Sequence, residues 1–285
     1  MIKILKYFFE AFFIYLFFLI AKILGLKLSR KLFSTIFRIA GPLIRSNRII
    51  DKNLDIFSKN ISTDNTNKIK KEMWENYGKT FIEYIFLKKL RNSQTDIVIE
   101  GNEILDKIFN NNKPVIFFSG HFANFELMSM EITKKNIKLA TIYRPLNNFF
   151  LNPLMEYLRK KYVCNNQIKK GRVGVKQAID FINKKHSIAL MIDQRLSEGE
   201  KINFFGKPAL TTTLPAQLAL KYKLDIVPVF IKRKEDDSFV MKVFKPIPYT
   251  SLNDKLDTSN KINKILETMI KDNPYQWIWT HNRWK

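Results

Sequence analysis

The chain has 285 residues, enough for one large α/β domain with a modest extra element, and its 46% hydrophobic content supplies a core of that size, so two domains of equal size are not expected. A single cysteine, Cys164, excludes an intrachain disulfide and reads as a small residue near a strand. The 49 basic and 26 acidic residues give a net charge of +23, which points to an anionic partner; Lys, Ile and Asn share A/T-rich codons, so genome composition is a competing source of that charge.

Residues 1–26 hold an aromatic and aliphatic segment, with an uncharged stretch from Ala11 to Ala21. That stretch is short for a membrane span, but Tyr7 to Leu26 reaches the required ~20 residues if Glu10 and Lys22 lie near the interfaces. The segment reads as an anchor that either spans or lies in the interface, because no small-x-small cleavage site follows Ala21. Lys22, Lys27, Arg30, Lys31 and Arg38 outnumber Lys3 and Lys6, which places the body of the protein on the cytoplasmic side.

Leu28, Leu32, Phe33, Ile36, Phe37 and Ala40 then recur at helical spacing among basic residues until Gly41-Pro42. This pattern fits a helix in the lipid headgroup layer and equally an ordinary packed helix. Ile69, Met73, Tyr77, Phe81 and Tyr84 mark one face of a long helix between Thr66 and Leu90. The expected organisation is an anchor at 1–26, a helical membrane-proximal region at 27–90 and an α/β domain at 91–285.

From there strands and helices alternate as they do in a mainly parallel sheet. Strands are expected near Ile97–Ile99, Val115–Phe118, Leu139–Tyr143, Ile188–Ile192, Ile226–Ile231 and Phe239–Phe244. Helices are expected near Glu103–Phe109, after Asn124, and over Asn152–Lys161, Val173–Asn183, Leu214–Tyr222 and Ser259–Ile270. The fold class is therefore α/β, with a mixed, mainly parallel sheet flanked by helices.

The stretch Pro114 to Met128, PVIFFSGHFANFELM, carries the chemistry. A buried strand stops at Ser119-Gly120, and His121 stands five positions before Glu126 at the start of a helix. The carboxyl end of a strand is where open α/β sheets bind ligands. At this spacing Glu126 can fold back to the imidazole, hold its tautomer and raise its basicity; the competing reading is a His that caps the helix, with Glu126 solvated. His186 lies in a polar turn, and for His281, in the Trp277–Trp284 tail, packing or local hydrogen bonding is the default. No HExxH or Cys set suggests zinc, and no GxSxG elbow supports Ser119 as a nucleophile, so neither a metal nor another cofactor is expected.

SGHFANFELM resembles the H-x4-D/E block of the glycerolipid-type acyltransferase superfamily, and more closely its bacterial lipid A biosynthesis (lauroyl/myristoyl) branch. Further blocks follow in that branch's order: Tyr143-Arg144-Pro145, Ile192-Asp193-Gln194-Arg195, Phe204-Phe205-Gly206-Lys207-Pro208 running into Leu214-Pro215-Ala216, Ile226-Val227-Pro228, and Asn273-Pro274-Tyr275-Gln276-Trp277-Ile278-Trp279. Ala123 stands where that branch often has Gly, and Tyr275 where it often has an acidic residue.

The resemblance implies a glycerolipid acyltransferase-like fold, His121 as general base and Glu126 as the residue that orients it. It implies a substrate-binding role for Asn124, Arg144, Asp193, Gln194 and Arg195, with Arg144 as a fork for a phosphate oxygen. Asp193 to Arg195 follow a strand and so belong on the sheet edge of His121, though Asp193 also suits a turn cap. The loop around Phe204-Phe205-Gly206 is expected to pack against lipid chains or against protein. The implied partners are an acyl-acyl carrier protein (or acyl-CoA) donor, a lipid acceptor and an anionic membrane surface, with the enzyme on the bacterial inner membrane. An acyltransferase acting on a lysophospholipid or aminolipid is the second reading. A basic membrane- or nucleic-acid-binding protein is the third, and no nucleic-acid motif supports it.

Overall fold

The computed structural model describes residues 2–44, 47–58 and 62–285. Its centre is a seven-stranded sheet in the order β1-β9-β8-β2-β5-β3-β4. These strands are β1 (Ile97–Glu100), β2 (Ile116–Ser119), β3 (Leu139–Tyr143), β4 (Asn166–Lys169), β5 (Ser187–Met191), β8 (Ile226–Arg233) and β9 (Phe239–Val243). All neighbours run parallel except the β8–β9 pair. A separate antiparallel hairpin is made by β6 (Glu200–Phe204) and β7 (Lys207–Thr211).

The sheet is covered on both faces because its strands alternate two apolar sets. Ile116, Phe118, Ile188, Leu190, Ile226 and Phe230 join one core, with α2 (Asn47–Phe57), α8 (Arg172–Asn183), α9 (Leu214–Tyr222) and α10 (Lys255–Asp272). Phe117, Ala189, Val227, Val229, Ile231 and Met241 join the other. That side is closed by α4 (Leu87–Asn92), α5 (Asn102–Asn111), α6 (Glu126–Lys134) and α7 (Asn152–Tyr162). The hydrophobic patterns placed most of these elements within a few residues.

Four features differ from the sequence expectation. Helix α1 (Ile2–Ile44) is two limbs joined at Gly25, whose φ of 74° and ψ of 169° are non-helical and open chiefly to glycine. Its second limb continues past Gly41-Pro42 to Ile44 and packs on α3 (Thr63–Glu83), with the Trp74 ring lying where a Cβ at Gly41 would stand, only 2.3 Å away. That limb is thus a packed helix, with Leu26, Arg30 and Phe33 buried. The edge strand β4, whose sequence Asn-Gln-Ile-Lys lacks an apolar run, and the β6–β7 hairpin, whose turn Phe205-Gly206 has φ of 51° and 73°, were not expected as strands.

Candidate active site

Adjacent parallel strands deliver three residues to one edge of the sheet. His121 follows β2, Asp193 follows β5 and Arg144 follows β3, in the spatial order β2-β5-β3. The C-terminal tail closes over this edge: Phe122 bridges to Trp277, and the Ala123 amide donates to the Gln276 carbonyl at 3.1 Å. Ala123 takes a φ of 43°, so the chain turns here through a conformation that suits glycine better than alanine.

Asp193 grips His121 at two points. The His121 backbone amide donates to Oδ2 at 2.8 Å, and ring Nδ1 lies 2.7 Å from Oδ1. Trp277 Nε1 also donates to Oδ2, at 2.8 Å. Asp193 is buried at 2% exposure. Burial pushes its carboxyl up, but the His121 charge, the two hydrogen bonds from His121 and that from Trp277 outweigh burial and hold it down at about 2. A carboxylate facing Nδ1 stabilises the tautomer with the proton there and leaves Nε2 with its lone pair. Among the described residues Nε2 makes no hydrogen bond, and the imidazole sits edge-on to Phe125 with ring centroids 4.6 Å apart.

The expectation that Glu126 holds the imidazole is corrected here. Glu126 opens α6 and faces α7: Arg159 Nε and Tyr84 Oη each donate to its Oε1 at 2.7 Å, and Arg159 Nη2 donates to Tyr84 Oη at 3.1 Å. Burial disfavours the Arg159 charge, yet Glu126 and Tyr84 outweigh it and raise its pKa. The Tyr84 hydroxyl is raised by burial first and then by Glu126. The tight turn at Phe122-Ala123 sends the ring of His121 toward β5, while the helix start sends the carboxylate of Glu126 to the opposite side.

Asn124 does not reach the open edge either. It is 1% exposed, and its amide donates to Glu83 Oε2 at 2.9 Å. Glu83 is fully buried and also accepts from Arg30 Nε at 2.6 Å, from Arg233 Nη2 at 3.0 Å and from Arg233 Nη1. Burial raises the Glu83 pKa, but Arg233 and Arg30 more than offset this and hold it low. Asn124 is therefore a strut between the His121 segment and a buried charge cluster.

Arg144 is exposed and, among the described residues, makes no hydrogen bond or ion pair, so its guanidinium is open to an anion. Gln194 is half-buried on the same loop as Asp193. Arg195 is committed to protein: its amide donates to His281 Nε2 at 2.8 Å, its Nε to the Lys285 carbonyl at 3.1 Å and its Nη1 to Ser197 Oγ at 3.2 Å. Local hydrogen bonding is thus what His281 does, but at the site's margin. Burial lowers its pKa first, the nearby Asp193 raises it, and the charges of Arg283, His121 and Arg144 lower it further. Phe204 is buried against Trp277, Trp284 and Arg283, and the partly buried Phe205 packs on Phe57 and Trp284, so both rings of this loop rest on protein. Among the described residues no cluster of His, Cys, Asp and Glu could hold a metal ion.

The family model described as bacterial lipid A biosynthesis acyltransferase matches residues 1–285. The chain belongs to that family. The lipid A biosynthesis acyltransferase 2 of Shigella flexneri is 23% identical over 191 residues, 65% of this chain and 60% of that protein. The lipid A biosynthesis lauroyltransferase of Escherichia coli K12 is 23% identical over 85% of this chain and 79% of its own length. The palmitoleoyltransferase of the same organism is 24% identical over 86% and 81%. The chain spans 60% of the length of the Shigella flexneri relative and of a Haemophilus influenzae one. Among solved structures, the 1-acyl-sn-glycerophosphate acyltransferase PlsC of Thermotoga maritima aligns with 89% of this chain and 99% of its own, at 15% identity and a TM-score of 0.43.

Within this lipid A acyltransferase family member, the residues that sequence reasoning missed are Trp277, Arg159, Tyr84 and Glu83. Trp277 stood in a quoted block, so its position was flagged without its role. Arg159, Tyr84 and Glu83 lie on helices far along the chain from Glu126 and Asn124, and no local pattern marks such partners.

Proposed function

We propose that the protein is a membrane-attached O-acyltransferase that moves a fatty acyl chain from an acyl thioester, carried on acyl carrier protein or coenzyme A, to a hydroxyl of a lipid A precursor. The observation that carries this reading is His121, with Nδ1 held by a buried, ionised Asp193 and Nε2 without a partner among the described residues, on an edge that also presents Arg144. His121 Nε2 takes the proton of the acceptor hydroxyl as its oxygen attacks the thioester carbonyl. Collapse of the tetrahedral adduct expels the carrier thiolate, which takes up the proton. Asp193 stabilises the imidazolium meanwhile, and no acyl-enzyme forms.

Glu126 enters as a positioning residue. Its bonds to Arg159 and Tyr84 fix the first turn of α6 and so the segment that carries His121. Arg144 supplies a forked cation for a phosphate of the acceptor. Attachment to the membrane rests on α1, which among the described residues is long and apolar enough to cross one.

Purified protein given acyl thioester and a phosphorylated lipid A precursor should form acylated lipid in proportion to thiol released. His121→Ala should lower both by about 10²–10⁴-fold, and Glu126→Gln should lower the rate by less while leaving the pH profile in place. Wild-type transfer by His121→Ala, or thiol release without acylated lipid, would refute the reading. Preference for a lysophospholipid would move the acceptor to the second class.

A further inference from the structure

The first limb of α1 carries two kinds of apolar surface. Tyr7, Ala11, Ile14, Phe18 and Ala21 recur at spacings of four and three and face the body of the protein. At its start, the Asn148 side-chain amide donates to the Tyr7 carbonyl at 2.9 Å and Tyr7 packs edge-on against Phe149. Midway, Tyr15 Oη donates to the Phe150 carbonyl at 2.9 Å. Near its end, Phe18 lies against Phe81 and Ser29 Oγ donates to the Ala21 carbonyl at 3.0 Å. The same folded body therefore holds the limb from Tyr7 to Ala21, about 21 Å at 1.5 Å per residue.

Apart from its flanking lysines and Glu10, which lies 3.8 Å from Lys6, the rest of the limb is apolar and open. Phe8, Phe9, Phe13, Leu16, Ile20 and Leu24 are 37–54% exposed, and at about 100° per residue they cover roughly 160° of the helix surface, wider than one packing stripe. A second copy would cover one stripe, whereas a lipid solvent covers all of them. The loop that clasps the limb adds Leu146 at 40% and Phe149 at 51% to the same surface, and exposed Lys3, Lys6, Lys22 and Lys27 flank it. Such a lysine flank suits the anionic headgroups of a bilayer.

We infer that this limb and the 145–150 loop lie together in one leaflet, so that the limb does not cross the bilayer. A crossing limb would pull the clasping loop into hydrocarbon, with its irregular backbone and the exposed Asn147 side chain. Unpaired backbone groups are not tolerated there. Held in the plane, the loop sits at the lipid surface with Arg144 at its root, where a phosphorylated lipid headgroup lies. This inference rests on the membrane attachment proposed above and adds its geometry.

The test uses the full chain with Cys164→Ser, Lys3→Cys and Lys184→Cys, reconstituted in sealed phosphatidylethanolamine–phosphatidylglycerol vesicles and treated with an impermeant maleimide. Lys184 is exposed on the body. Intact-mass spectra should show molecules with two adducts or none, whichever way they are oriented. Molecules with one adduct before lysis and two after it would overturn the in-plane placement while leaving attachment intact. Separately, Phe149→Trp should gain a fluorescence component quenched by lipids brominated on the acyl chain, and no added quenching would overturn the loop's part. Protein that stays out of floated vesicles and sediments as a dimer would overturn the lipid occupant, and attachment with it.

Discussion

Two buried carboxylates flank the segment from His121 to Asn124, and they differ in their partners rather than in their burial. Glu83 is fully buried among two guanidiniums and the Asn124 amide, all of which keep their charge or polarity at any ordinary pH. Asp193 is almost as buried, yet its partner is an imidazole whose far nitrogen makes no hydrogen bond among the described residues. A carboxylate locked to permanent cations can only hold structure. One that faces a titratable ring can steady a proton in transit. The chain thus places a carboxylate held by two guanidiniums and one held by the imidazole on either side of the same short turn.

The largest test of that contrast is on the chemical side. His121→Ala should lower acyl transfer by about 10²–10⁴-fold and also lower the melting temperature, because the buried Asp193 carboxylate loses the ring and keeps only the residue-121 amide and Trp277; circular dichroism at the assay temperature should still match wild type. Asp193→Asn should fall in the same range, since an amide no longer stabilises the imidazolium. Rates measured with saturating thioester check both, and an Asp193→Asn enzyme at wild-type speed would break the comparison.

On the structural side, Glu83→Ala should cost about 3–5 kcal/mol of stability in chemical denaturation, because Arg30 and Arg233 are left buried without a counter-charge. A loss under about 1 kcal/mol would show that the cluster relaxes into solvent.

Acid separates Asp193 from His281. The Asp193 carboxyl has a folded value of about 2 against an ordinary 3.8, so its stabilisation is complete above about pH 4 and disappears as pH falls toward 2. His281 is lowered in the folded state, so the unfolded chain takes up its proton first and stability declines as pH drops below the ordinary value of 6.5. Melting temperature measured across pH 3–8 should show the shallow step near neutrality disappear in His281→Gln while the acid limb persists.

The smallest expected effect sharpens the geometry of the turn itself. Ala123→Gly should raise stability by up to about 1 kcal/mol, since φ of 43° strains an L side chain, less the entropy a glycine adds to the unfolded chain. Differential scanning calorimetry reads this directly, and a loss of stability would mean that the buried methyl group matters more than the backbone.

Much of this molecule was legible without coordinates. Short continuous apolar runs located the central strands, four to eight residues long, and the helices between them, because burial on both faces of a parallel sheet leaves few other patterns. The motif around His121 and the strand ends before Arg144 and Asp193 were readable for the same reason: a strand's carboxyl end is a fixed place in such a sheet. What the chain could not declare was pairing across distance. His121 and Glu126 are close in sequence, so local spacing favoured them, but a turn through positive φ at Ala123 separates their side chains, and the strand order β2-β5 brings Asp193 to the ring instead. Asn124 was read as a ligand contact and proved to be a strut, because its partner Glu83 arrives from a helix 41 residues earlier. An amphipathic or apolar pattern states that a surface will be covered; only the packed structure decides which residues meet there, since hydrophobic burial is non-directional while hydrogen bonds and ion pairs require one geometry.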